Sequence, residues 1–316
     1  MTLTRYIAGI LLFLAVSILN GFPSWCAEAP VQAAVSIAPQ KYFVEKIGGA
    51  RVAVTVMVPP GVEPHTYEPK PREVLALSRA RVYFAIGAPF EYAWLPRFKS
   101  TNPRLLIVHT EENVPRISLA QEENHEIQTQ RAASLGAETP ESGMDNHIWL
   151  SPPLVKIQAR SIFDGLAKID PAHIEEYRAN FTRFNAEIDS LDADLKKLFY
   201  GRQQAKSPLP PLLRGENGKF MVFHPAWAYF AQAYGLKEIP IEIAGKEPKP
   251  SELIKLIKLA REQKITVIFV QPQFSARSAR TIADAIHGRL VYADPMSENW
   301  AKNIRSAAEE FKAALR

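Results

Sequence analysis

Short apolar runs alternate with amphipathic stretches in two separate blocks of the chain. The runs are rich in β-branched residues and nearly free of polar positions, which is typical of strands buried on both faces of a parallel sheet. In the first block they cover residues 33–37, 52–58, 82–86 and 105–108. In the second block they cover residues 220–223, 239–243, 266–270 and 290–292. This strand–helix alternation predicts an α/β protein of two lobes, each with a mainly parallel four-stranded sheet.

A long apolar stripe between the two blocks predicts a backbone helix that joins the lobes. Apolar residues recur there at three- and four-residue steps, at Ile174, Tyr177, Phe181, Phe184, Ile188, Leu191, Leu195 and Leu198. A single helix carrying this stripe is about 43 Å long at 1.5 Å per residue, which is the width of a domain. A coiled-coil dimer arm is the alternative, but the charges beside the stripe are not patterned as partners. We therefore expect a bracing helix in a monomer.

The predicted boundaries follow from these elements. We expect an N-terminal lobe over residues 28–168, the connecting helix over 169–200 and a C-terminal lobe over 201–316. Residues 201–218 are rich in Pro and Gly, which predicts an exposed insertion at the start of the second lobe. We see no internal sequence repeat, only the repeated order of strand and helix.

The N-terminus is predicted to be an export signal. Arg5 precedes an apolar run over residues 6–19, which is too short to span about 30 Å of hydrocarbon. A positive start followed by a short apolar centre is typical of a secretory signal peptide, here residues 1–27, and predicts a periplasmic protein. Lipid attachment through Cys26 is the alternative, but a lipoprotein signal has small residues before its Cys, where this chain has Pro23 and Trp25. We therefore expect cleavage between Cys26 and Ala34.

Composition and missing motifs exclude several classes of function. The 38 Lys and Arg residues exceed the 33 Asp and Glu residues only slightly and form no long run of like charge, so we expect no nucleic-acid partner. A single Cys excludes an intrachain disulfide and a Cys-rich zinc or iron–sulfur site. The motifs GxSxG, HExxH, GxxxxGK[ST] and GxGxxG are absent, which weakens the case for an enzyme.

Polar side chains at the ends of predicted strands are the candidates for chemistry. His65 follows the second strand, His224 the fifth and Asp294 the eighth, while His147 ends a polar loop over residues 114–146. The carboxyl ends of strands in open α/β sheets face the ligand crevice, so these four residues can converge between the lobes. Three imidazoles and one carboxylate form a tetrahedral set that suits zinc, whereas manganese prefers oxygen-rich sites.

Other residues are weaker candidates. His109 also follows a strand, and His125 lies in the acidic part of the polar loop. Glu63, two residues before His65, could replace or join a ligand. Trp149 and Trp227 lie shortly after candidate ligands, and we expect their side chains to line the site.

The chain resembles a known family, the periplasmic metal-binding proteins of zinc and manganese ABC importers. The segments that carry the resemblance are PPGVEPHTYEPKPREV, DNHIWLSPP, FHPAWAYFAQAYGL, KEPKPSELIKLI and FVQPQFSARSARTIADAIHGRLVYADP. The resemblance implies two α/β lobes joined by a long helix, with Zn²⁺ as cargo and an ABC importer permease as partner. It also implies metal binding by His65, His147, His224 and Asp294.

Departures from the family pattern leave alternatives open. Zinc-importing relatives often carry a His-rich loop before the second ligand, whereas this loop has only His125. Manganese-binding relatives commonly have a carboxylate where this chain has His224, so zinc is expected ahead of manganese. Two alternatives from other classes are a secreted zinc hydrolase with Glu63 as base and a surface adhesin with an incidental metal site. Four protein ligands leave no position for an activated water, which favours carriage over hydrolysis.

Overall fold

The computed structural model describes residues 29–118, 144–204, 218–243 and 245–315. The predicted signal peptide, Cys26 and His125 lie outside these residues, as does most of the predicted insertion. Within the described ranges, no helix is both long and apolar enough to cross a membrane.

The first lobe is built on a parallel sheet with strand order β2-β1-β3-β4. Its strands are β1 (Val31–Val35), β2 (Val52–Val56), β3 (Val82–Ala85) and β4 (Leu106–His109). Its helices are α1 (Ala38–Gly48), α2 (Pro71–Leu77), α3 (Pro89–Thr101) and α4 (Pro152–Ile169). Every residue of the inner strand β3 is buried, as its unbroken apolar sequence predicts.

The second lobe repeats this arrangement with strand order β6-β5-β7-β8, again all parallel. Its strands are β5 (Lys219–Val222), β6 (Lys237–Pro240), β7 (Val267–Val270) and β8 (Arg289–Tyr292). The predicted fold class is therefore confirmed. The sixth strand begins two residues earlier than predicted and ends at Pro240, which has no N–H to donate and is tolerated because β6 is an edge strand.

The connecting helix, α5 (Ile174–Gln204), is confirmed and packs along both lobes. A short 3₁₀ turn over Pro171–His173 precedes it, and Gly201 interrupts its helical geometry with φ of 74°. Toward the first lobe, the Asn180 amide donates to the Ile47 carbonyl at 3.0 Å. Toward the second, the Tyr234 hydroxyl donates to Asp192 of α5 at 3.0 Å. The predicted domain boundaries remain predictions, since residues 31–316 form one compact unit.

The remaining helices of the second lobe include one that returns to the first. They are α6 (Ala228–Tyr234), α7 (Pro250–Glu262), α8 (Arg277–Ala285) and α9 (Trp300–Ala314). Trp300, at the start of α9, packs edge-on against Phe43 of α1 with ring centroids 5.1 Å apart. Its indole N–H donates to the Trp149 carbonyl at 2.6 Å, and the Trp149 indole donates to the Pro295 carbonyl at 2.7 Å. These two indoles tie the lobes together directly.

Replacing Trp300 with Ala should destabilise the protein strongly. The side chain is 2% exposed, and truncating a buried Trp costs about 3–5 kcal/mol through lost contacts and the cavity that remains. Urea unfolding followed by circular dichroism measures the change. Tyr292→Ala is the control, because Tyr292 is 65% exposed and should change stability by less than about 0.5 kcal/mol. A loss for Trp300→Ala no larger than for the control would contradict the bracing role.

Candidate metal centre

Three histidines from the two lobes meet at one point. His65, His147 and His224 each offer a ring nitrogen, and these three atoms all lie within 4.8 Å of one another. The ring centroids form a nearly equilateral triangle with sides of 5.3, 5.4 and 5.3 Å. The structure thus brings together three of the four predicted ligands.

His65 is held by a short helical turn after β2. The turn, a 3₁₀ helix over Pro64–Thr66, begins with a Pro whose missing N–H costs nothing at this position. Glu63 is its N-cap and accepts hydrogen bonds from the backbone N–H groups of His65 and Thr66, both at 2.9 Å. This cap fixes the backbone that carries the His65 ring.

His147 lies immediately before a second 3₁₀ turn, Ile148–Leu150. The backbone N–H of His147 donates to Asp145 Oδ1 at 2.8 Å, and its ring Nδ1 lies 2.7 Å from the same oxygen. Asp145 and His147 are both buried. One carboxylate therefore holds both the backbone and the ring of this histidine.

His224 follows β5 and is fixed by a pair of amide contacts to the neighbouring strand. Its backbone N–H donates to Gln271 Oε1 at 3.1 Å, and Gln271 Nε2 donates back to the His224 carbonyl at 2.7 Å. Gln271 directly follows β7 and is 1% exposed. The end of β5 that carries His224 is therefore tied to the end of β7.

A carboxylate lies behind each of the three imidazoles. Glu63 Oε1 is 3.3 Å from His65 Nδ1, and Glu242 Oε1 is 3.0 Å from His224 Nδ1. Together with Asp145 at His147, every ring has an acidic neighbour at Nδ1. Carboxylates in this position orient metal-binding histidines and raise their basicity, with the other ring nitrogen facing the metal.

Burial and neighbouring charges set the protonation of His65 and Glu63 so that the site favours a cation. Burial lowers the pKa of His65 to about 4, and the neighbouring His224 and His147 act in the same direction against the attraction of Glu63. For Glu63 itself, burial acts to raise the pKa, but the charge of His65 and its backbone N–H bond outweigh burial and lower it. At neutral pH the site therefore offers a neutral imidazole beside an ionised carboxylate.

The cavity at the cluster is small. It has a volume of about 20 Å³ and is lined by residues of both lobes, including the three histidines, Glu63, Trp149 and Phe274. This volume holds about one water-sized particle. Phe274 stacks on His224 with ring centroids 4.5 Å apart. The site is thus shaped for a single ion.

A buried polar network holds the segment that contributes Ile86 to the cavity lining. The carboxylate of Glu91 accepts hydrogen bonds from the backbone N–H groups of Ile86 at 3.0 Å and Gly87 at 2.8 Å, and Ile86 lines the cavity. Gln40 donates to the carbonyls of Phe84 and Ala85, both at 3.2 Å. Burial raises the pKa of Glu91 to about 7. Together, Gln40 and Glu91 fix the end of β3 and the residues that follow it.

Asp294, the fourth predicted ligand, is not part of the histidine cluster in this structure. Its Oδ1 accepts hydrogen bonds from Gln273 Nε2 at 2.8 Å and from the Met296 backbone N–H at 2.9 Å. Gln273, Pro295 and Met296 all line the cavity, so Asp294 lies beside its wall. Its role as a ligand remains a prediction.

The weaker candidates separate clearly. His109 pairs with Glu111 at 2.8 Å and lies outside the cluster, whereas Glu63 lines the cavity as an alternative ligand would. Trp149 lines the cavity as predicted. The prediction for Trp227 was wrong, because its ring is fully buried and packs edge-on against Phe311 in the core.

The residues that position His147 and His224 were not predicted from the sequence. Asp145 stands two positions before His147, so the polar triplet Asp-Asn-His was a usable signal. Gln271 follows β7, so the rule that selected His224 from its strand end would have selected it as well. Glu242 was concealed because it lies inside the predicted sixth strand over residues 239–243, whereas the observed β6 ends at Pro240. At a strand end, a residue that binds the metal and a residue that positions a ligand give the same sequence signal.

Comparison with known proteins agrees with this geometry. The ZnuA family, described as "Zinc-uptake complex component A periplasmic", matches residues 34–314. The high-affinity zinc uptake system protein ZnuA of Bacillus subtilis (strain 168) is 28% identical over 254 residues, covering 78% of this chain and 73% of that protein.

Solved structures of the same family have the same fold. A crystal structure of ZnuA is 38% identical with a TM-score of 0.77 and covers 91% of this chain and 100% of that chain. A zinc-bound deletion mutant of ZnuA is 37% identical with a TM-score of 0.75, over 90% of this chain and 98% of that chain. With the family match running from the first strand to the last helix, this chain belongs to the ZnuA family of periplasmic zinc-uptake components.

Proposed function

We propose that this protein binds one Zn²⁺ between its lobes and, as a monomer, delivers it to the permease of an ABC importer. The observation that carries the proposal is the cluster of three histidine nitrogens within 4.8 Å of one another. The names of relatives support zinc as the cargo, since both the Bacillus protein and the family description refer to zinc uptake. The family description also supports a periplasmic location.

The cluster needs only a small adjustment to hold zinc. Bonds of 2.0–2.1 Å in a tetrahedron place ligand nitrogens about 3.4 Å apart. The three nitrogens lie within 4.8 Å, so each ring must move inward by less than about 1 Å. Three imidazoles favour zinc over manganese, which prefers oxygen ligands. Manganese remains the less favoured alternative.

We propose Asp294 as the fourth ligand. The next two residues, Pro295 and Met296, line the cavity, as does Gln273, and the Asp294 carboxylate accepts hydrogen bonds from Gln273 and the Met296 N–H. Glu63 is the competing carboxylate, but both of its oxygens already cap the turn at His65 and Thr66. With four protein ligands, zinc has no open position for an activated water, which supports carriage rather than catalysis.

Removing one histidine of the cluster should weaken zinc binding steeply. Loss of a residue behind a ligand costs about 10–100-fold in metal affinity, so His224→Ala should cost at least about 100-fold. Competition titration against a zinc chelator measures this. His109→Ala is the matched control, because His109 is paired with Glu111 away from the cluster. This variant should bind zinc with the same affinity as the wild type. Equal affinities for the two variants would remove His224 from the site.

The two carboxylates can be distinguished by isosteric amides. Asp294→Asn should lower zinc affinity by at least about tenfold, since an amide oxygen is a poorer zinc ligand than a carboxylate. Glu63→Gln should cost less, because the amide oxygen can still accept one of the two backbone N–H bonds of the turn and the residue is not a ligand in this proposal. Both are measured by the same competition titration, with thermal unfolding to verify the fold. The reverse order of effects would make Glu63 the fourth ligand.

The lowered pKa of His65 predicts how the stability of the metal-free protein depends on pH. An unfolded imidazole titrates near about 6.5, whereas folded His65 titrates at about 4, so between these values the unfolded chain binds more protons. The contribution of His65 to the free energy of unfolding is therefore complete above about pH 6.5 and is lost as the pH falls through about 4.

Urea unfolding of the metal-free protein between about pH 7 and pH 4 tests this dependence. His65→Gln removes the titrating group, so its free energy of unfolding should fall less over the same range than that of the wild type. Parallel pH profiles for the two proteins would show that His65 is not held neutral by the fold.

A further inference from the structure

One decapeptide occurs twice in the chain, so the expectation of no internal sequence repeat was wrong. Residues 68–77 read EPKPREVLAL and residues 247–256 read EPKPSELIKL, identical at six of ten positions. Two further positions pair apolar residues, Val74 with Leu253 and Leu75 with Ile254. The likeness extends beyond the decapeptides, where the basic residue Arg79 corresponds to Lys258.

The two segments occupy equivalent places in the two lobes. One follows β2 and forms α2, and the other follows β6 and begins α7. β2 and β6 are the corresponding edge strands of two sheets with the same order. Each segment begins shortly after a residue of the metal centre, His65 in the first lobe and Glu242 in the second. Both helices therefore start at the ends of the lobes that form the site.

The helix starts are alike in detail. Each N-cap is a Lys whose backbone N–H donates to the Glu three positions on, at 2.6 Å in both the Lys70–Glu73 and the Lys249–Glu252 pair. Each N-cap Lys is extended, with φ and ψ of −79° and 155° for Lys70 and −68° and 161° for Lys249. These acidic residues therefore cap their own helices, while the basic N-cap residues are exposed.

Each helix presents one large apolar side chain to solvent. Leu75 is 70% exposed and Ile254 is 69% exposed, and both stand at the same position of the repeat. Exposed Arg79 and Lys258 follow four positions later. Single exposed apolar residues are ordinary. Here, however, a large aliphatic residue, followed four positions later by a basic residue, recurs at the equivalent place on both lobes.

We propose that Leu75 and Ile254, with the basic residues beside them, form a paired docking surface for a permease with two equivalent subunits. The proposal rests on the proposed function. Two copies of one surface match a partner with twofold symmetry, in which each subunit offers an apolar pocket edged by acidic groups. A second copy of this chain is a poorer occupant, since it would place basic groups against basic groups.

The test compares the wild type with Leu75→Ser, Ile254→Ser and the double variant. Each is added, loaded with zinc, to the organism's zinc ABC importer in nanodiscs, and the concentration that half-stimulates its ATPase is measured. Loss of one buried apolar contact should raise this concentration about tenfold, and loss of both about 100-fold. Added NaCl should raise the half-stimulating concentration of the wild type as well, because screening weakens the contacts between its basic residues and acidic groups of the permease.

Tyr292→Ser is the matched control, because Tyr292 is 65% exposed and lies on β8 outside both segments. Zinc affinity by competition titration should be the same in all these proteins, which separates docking from metal binding. Unchanged ATPase stimulation by the double variant, or an equal effect of the control, overturns the docking surface while leaving zinc binding intact. A wild type that binds zinc but does not stimulate the importer overturns delivery and docking together.

A membrane surface is the remaining occupant to exclude. Flotation of the wild type with phosphatidylglycerol vesicles that lack the importer, abolished in the double variant, would assign the surface to lipid and overturn the proposal. Absence of vesicle binding together with the loss of ATPase stimulation supports the permease.

Discussion

Three imidazole rings, each with a nitrogen within 4.8 Å of the other two, are the arrangement on which the rest of the structure depends. Three protonated rings at this separation would repel one another strongly, so the cluster favours neutral imidazoles, the form that binds a metal ion. Burial favours the neutral form of His65 by lowering its pKa to about 4. The carboxylates of Glu63, Asp145 and Glu242 behind the rings orient them and favour a positive charge at the centre.

The cluster also constrains the relation between the lobes, because its members come from both. The connecting helix α5 packs against each lobe, and the indoles of Trp149 and Trp300 donate hydrogen bonds across the boundary. These contacts hold the histidine nitrogens close to the spacing that a tetrahedral zinc ion requires. The braced lobes need to close only slightly to bind a zinc ion, which agrees with the match to a zinc-uptake family.

The two lobes share strand order and a decapeptide, so the molecule carries an internal symmetry that its metal centre does not show. The histidines of the site stand at different places in the two lobes, whereas α2 and α7 both expose a large aliphatic residue at the same position of the repeat, Leu75 and Ile254. A binding site for one ion does not need to be symmetric. A surface that binds a twofold partner needs the same chemistry on both lobes, because each partner subunit must recognise it.

The sequence by itself determined the fold class, most strand positions, the connecting helix and the three histidines of the cluster. These follow from local patterns: β-branched apolar runs, a stripe of helical period, and polar residues at strand ends. Only the tertiary structure decided that Glu242 and Gln271 position His224, that Trp227 belongs to the core, and that Asp294 bonds to Gln273. Those outcomes depend on which strand ends and helices lie side by side, and spacing along one chain does not fix distances between distant segments.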